Sequence, residues 1–121
     1  MNALLWLIQI VLALVFGASG VMKGTWSRDR LVRSGQTGVQ GLSTPLIRLI
    51  ATMELLGVAG LVLPQATGIE PWLTVAAAIG LGVIMILAAI VHARLREPRN
   101  VAINVVILVA CVVVAIGRGY G

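Results

Sequence analysis

Four side chains carry chemistry into stretches of this sequence that otherwise hold almost none: Arg48, Glu54, His92 and Asn104. Arg48 and Glu54 lie in one apolar run, PLIRLIATMELLGVAGLVLP, bracketed by Pro45 and Pro64. Read as a helix, the residues between the prolines span about 27 Å, close to the hydrocarbon thickness of a bilayer. An ionised side chain near the middle of such a span costs about 2.5–3.5 kcal/mol, so Glu54 needs a partner, water or a proton. Arg48 does not supply it by stacking along the helix. Six residues put the two about 120° apart in azimuth and about 9 Å apart in depth, so each looks to neighbouring helices. Ala51 and Gly57, three residues to either side of Glu54, leave its face small and open to another helix.

The elements that must position these groups follow from composition. The chain has 121 residues, of which 60% are hydrophobic and 11% charged, where a soluble domain is nearer half and a quarter. That composition predicts an all-α, integral membrane protein, a single transmembrane domain over 1–121. Its apolar runs predict helices at about 3–22, 46–63, 72–92 and 101–117. The first run lacks a basic flank at its start and is long for a signal sequence, so it reads as a retained span. Gly17 and Gly20 on that run, and the pairs Ala76/Gly80 and Ala78/Gly82 on the third, suit close helix packing. In the long connection 23–44, Ser27 is placed to cap a short surface helix, Trp26 to anchor at the interface, and GxxGxxG at Gly35, Gly38 and Gly41 matches no phosphate-binding loop. The net charge of +5 sits in the connections, where it fits topology and anionic headgroups rather than nucleic acid. One cysteine, Cys111, excludes an intrachain disulfide, and one Cys with one His provides no Cys/His metal set and no bis-histidine haem. No metal site is expected.

The first connection holds Lys23, Arg28, Arg30 and Arg33, and the third Arg94, Arg96 and Arg99. The second holds none and the tail only Arg118. The positive-inside rule then puts loops 23–45 and 93–100 in the cytoplasm and both termini outside, in a four-helix antiparallel bundle. This topology gathers Lys23, Arg48, His92 and Asn104 at the cytoplasmic ends of the helices, with Glu54 about two turns deeper. The expectation is a cavity open to that side, lined by Arg48, Glu54, His92 and Asn104, able to pass a proton or hold the polar head of an apolar ligand such as a quinone. The alternative for each is structural. Buried polar residues join helices at about 0.6 kcal/mol a contact, Arg48 can snorkel to headgroups, and His92 can sit at the interface.

The order of these pieces resembles the DoxX-like family of small four-helix membrane proteins. The matching stretches are FGASGVMK, RLIATMELLGVAGLVLP, PWLTVAAAIGLGVIM, VHARLRE and VAIGRG. The resemblance implies a bacterial plasma-membrane protein acting as an accessory or anchor subunit of a membrane redox complex, with quinone as ligand and no intrinsic cofactor. It supplies no established catalytic residues. Arg48, Glu54, His92 and Arg118 match the family's recurrent polar positions, and Lys23 and Arg118 join the candidates at lower rank. Membrane lipids, a redox partner protein and a second copy are the partners expected. Two other readings stay open: a small stand-alone membrane enzyme or transporter using Glu54 and His92 for protons, and a purely structural subunit.

Overall fold

A computed structural model describes residues 2–120. It contains five α-helices: α1 (Asn2–Thr25), α2 (Arg28–Arg33), α3 (Thr44–Thr67), α4 (Trp72–Arg94) and α5 (Pro98–Tyr120), with a single 3-10 turn at Thr37–Val39. Four of them, α1, α3, α4 and α5, are long and apolar enough to cross a membrane. The helical state is forced by the solvent: in hydrocarbon each backbone N–H and C=O must be paired within its own segment. At 23 or 24 residues each, the spans reach about 35 Å and carry their polar ends past the hydrocarbon.

The spans run longer than the apolar pattern alone predicts, and prolines explain the two clearest differences. Pro64 does not end α3, because the helix continues through it to Thr67. Near a helix end the proline's missing N–H removes one bond, and the chain is stopped instead by Gly68, whose left-handed φ of 72° lets its N–H reach the Pro64 carbonyl. At the other boundary Pro98 begins α5 three residues before the expected start, where its fixed φ suits the first helical turn. Ser27 and Ser43 cap α2 and α3, accepting from the backbone N–H groups of Arg30 and Leu46. The α4–α5 connection is only Leu95 to Glu97, closed by Arg96 at φ 59°.

The spans form a ring, α1 against α3, α3 against α4, α4 against α5, and α5 back on α1. The half of the bundle away from α2 is solid. Leu12, Phe16, Leu61, Ala78, Leu81, Met85, Cys111 and Val114 fill it. Glycines bring the backbones close there: a Cβ on Gly57 would lie 2.7 Å from Leu81 Cδ2, and one on Gly60 2.7 Å from the Ala77 Cβ. Large side chains such as Leu14, Leu56 and Val106 point outward, as lipid-facing residues do. A second small core, Leu31, Val39 and Ile47, lies under the α2 segment. Between the two cores the bundle is hollow.

Candidate functional site

The hollow is a cavity of about 650 Å³. Phe16 and Met85 form its floor, and the segment after α2 roofs it with Gln36, Gly38, Val39 and Leu42. Its wall is mostly apolar. Five groups break that pattern: Ser19 and Lys23 from α1, Glu54 from α3, His92 from α4 and Asn104 from α5.

Glu54 is 1% exposed, and its Oε1 accepts a 2.7 Å hydrogen bond from the ammonium of Lys23, which is 13% exposed. The contact is possible because α1 and α3 approach closely at Gly20 and Ala51: a Cβ added at Gly20 would lie 3.3 Å from the Ala51 carbonyl oxygen. Ala51 thus faces α1 and Gly57 faces α4, and Glu54, three residues from each, points between them. Its second oxygen, Oε2, is buried without a hydrogen-bond partner among the described residues, and so is Asn104 Nδ2. The pair is neutral in sum. It offers the cavity one strong acceptor, and Asn104 offers a donor.

His92 stands at the junction of wall and roof. Its Nδ1 lies 2.7 Å from Glu97 Oε1, and the same carboxylate accepts bonds of 2.8 and 2.9 Å from the Thr37 hydroxyl. An ionised carboxylate can only accept, so Nδ1 carries the proton and a neutral ring keeps Nε2 as an acceptor. Nε2 looks toward Gly38, where an added Cβ would lie 3.3 Å away. The bonds from His92 and then Thr37 hold the Glu97 carboxyl below the ordinary carboxylate range. Thr37, Glu97 and His92 therefore tie the roof to the end of α4.

Arg48 and Arg118 stand elsewhere. Arg48 does not line the cavity; its guanidinium donates to the backbone carbonyls of Lys23 and Trp26 and so satisfies the C-terminal end of α1. Arg118 lies at the opposite end of the bundle, where Nε donates to Gln9 Oε1 at 2.7 Å and a terminal nitrogen to Asn2 Oδ1. Gln9, fully buried, passes the chain on by donating to the Leu61 carbonyl at 2.6 Å. The structure thus brings Lys23, Glu54, His92 and Asn104 together and separates both arginines from them.

Sequence reasoning placed Lys23 at the right end of α1 without pairing it to Glu54, and it gave Glu97, Thr37 and the roof no part. A signal for Glu97 existed: five residues after His92 and just past the helix, it is within reach of the histidine once the turn is tight. For Lys23 the signal was the small-residue pair Gly20 and Ala51, which lets a long side chain reach inward along α3.

The family model described as the DoxX-like family matches residues 7–114, which covers most of each of the four spans and every cavity group. No curated protein and no solved structure matches the chain.

Proposed function

The chain belongs to the DoxX-like family, and from that premise together with the cavity we propose that it binds the polar head of a membrane-soluble ligand, of which a quinone is the leading candidate. One observation carries the reading: a carboxylate 1% exposed, held by Lys23 on one oxygen and with no partner for the other among the described residues, lines a cavity of about 650 Å³. A group so costly to bury rewards a ligand that brings a hydrogen-bond donor to it. Asn104 serves a carbonyl on the same head. The lining fits that group: apolar walls for a ring and its tail, two polar contacts for its oxygens.

In this reading the protein has no redox centre of its own and serves a membrane redox complex as an accessory subunit that holds or presents the quinone. The α2 loop and the α4–α5 connection face the cytoplasm and both termini the outside, since the first and third connections carry the lysine and arginine excess. The His92–Glu97 contact favours a second reading, in which the cavity end passes protons by itself.

The test is equilibrium binding of a short-tailed benzoquinone to the full chain in nanodiscs, followed by quenching of intrinsic tryptophan fluorescence. Wild type is expected to saturate, and Glu54→Gln to weaken binding by about 10-fold or more, the loss of one charged hydrogen bond. Equal binding by both forms contradicts the proposal. Proton uptake by the purified chain in liposomes, abolished by His92→Ala, would instead select the second reading.

A further inference from the structure

The faces by which α3 and α4 touch in the solid half of the bundle are the same faces that part to form the cavity. In the solid half they meet at Gly57 against Leu81 and Gly60 against Ala77. At 100° a residue, Leu49 lies about 20° from the azimuth of Gly60, and Ala88 about 20° from that of Ala77. Both line the cavity, and so do Met53 and Leu87 beside them. The seam is closed by glycine below and open above.

The rim of that opening faces lipid, not water. Leu49 is 54% exposed, Met53 48% and Leu87 58%, although all three also line the cavity. Met53 is nine residues into α3 and Leu87 seven from the end of α4, so the rim lies about 10–13 Å inside the helix ends, within the hydrocarbon depth. The aqueous end is covered by the roof, which the Thr37–Glu97–His92 contacts tie down. On the α1 side the rim is poorer, with exposed Val15 and the small Ala18.

We propose that the cavity is loaded sideways from the bilayer through the α3–α4 seam, and that its occupant is an amphiphile with an uncharged, hydrogen-bonding head at Glu54 and Asn104 and a hydrocarbon tail leaving past Met53 and Leu87. The proposal rests on the head-binding reading above and adds the route and the class of ligand. The Lys23–Glu54 pair is already neutral, so a charged head brings an uncompensated charge to hydrocarbon depth, whereas a hydroxyl or carbonyl head meets a waiting acceptor and donor. A tail gains nothing by threading the tied roof and loses nothing by staying in lipid.

The experiment uses a monoacylglycerol carrying a diazirine in its acyl chain, a neutral-headed probe unrelated to quinones. The full chain in nanodiscs is irradiated with it, and adducts are mapped by mass spectrometry. Adducts at Leu49, Met53 and Leu87 are expected to exceed those at the more exposed Leu14 and Val106 several-fold. Leu87→Trp, a lipid-facing change that fills the seam without touching the fold's interior, is expected to remove that excess. Even labelling over all exposed positions, an excess at Val15 and Ala18 instead, or a seam signal indifferent to Leu87→Trp overturns the proposal. Seam labelling in a protein that binds no benzoquinone would sink the quinone reading alone and leave the route standing.

Discussion

Replacing Lys23 with methionine keeps most of the side-chain volume and removes the charge that Glu54 is paired with. Glu54 is 1% exposed, and among the described residues its Oε2 has no partner and its Oε1 accepts only the 2.7 Å bond from Lys23. Removing one member of such a buried pair costs about 3–5 kcal/mol, because the remaining charge stays desolvated without compensation. Glu54→Gln should cost comparably, since it strands the ammonium. Lys23 is somewhat exposed and can snorkel outward, which puts that variant toward the lower end. The double variant Lys23→Met/Glu54→Gln removes both charges and should cost about as much as one single variant rather than the sum of the two, a coupling energy of about 3 kcal/mol, the upper end of the usual range. The assay is reversible unfolding in mixed micelles titrated with SDS, followed by tryptophan fluorescence, for the four members of the cycle. Single variants as stable as wild type, or losses that simply add, would refute the burial and pairing described.

Arg48→Met removes bonds to the Lys23 and Trp26 carbonyls and should cost about 1.5–3 kcal/mol in the same titration, while benzoquinone affinity stays within a factor of two or so of wild type. Gly60→Ala places a Cβ 2.7 Å from that of Ala77 and should destabilise by about 1–3 kcal/mol, whereas Gly80→Ala, with nothing within 4 Å, should be close to neutral. The roof should be sensitive to acid. Glu97 binds its proton more weakly when held by His92 and Thr37 than when released, so the tie is fully present above the ordinary carboxylate value of 4.5 and is lost as pH falls through the lowered one. Hydrogen exchange of the amides at 36–40 should therefore accelerate only in acid, after correction for intrinsic rates; Glu97→Gln should remove the pH dependence.

The all-helical membrane bundle was legible because four apolar runs leave the backbone no other way to pair its polar groups in hydrocarbon. Boundaries were less legible. Pro64 reads as a stop, yet one missing bond near a helix end is tolerated, and Gly68 with its left-handed φ is what ends α3. Glu54 stood out because a carboxylate in a span is expensive in any fold. Which cation answers it was not readable, since Arg48 and Lys23 lie at the same end of the bundle, and the choice depends on azimuth. Arg48 turns to the frayed carbonyls of α1, while the close approach at Gly20 and Ala51 delivers Lys23. The short helix after Ser27 was legible from its cap, but its place over the cavity was not, because α2 and the 3-10 turn carry too few apolar residues to show a period; Leu31 and Val39 pack only once Ile47 is brought beneath them.

On the proposed reading this cavity holds the uncharged head of an amphiphile at Glu54. Native mass spectrometry of the full chain, released gently from its own membrane, tests it most directly. The chain, alone or with a partner, should carry a quinone- or lipid-sized adduct that survives in Arg118→Met and is lost in Glu54→Gln. An adduct retained equally by the Glu54→Gln chain, or a wild-type chain that carries none, would contradict it.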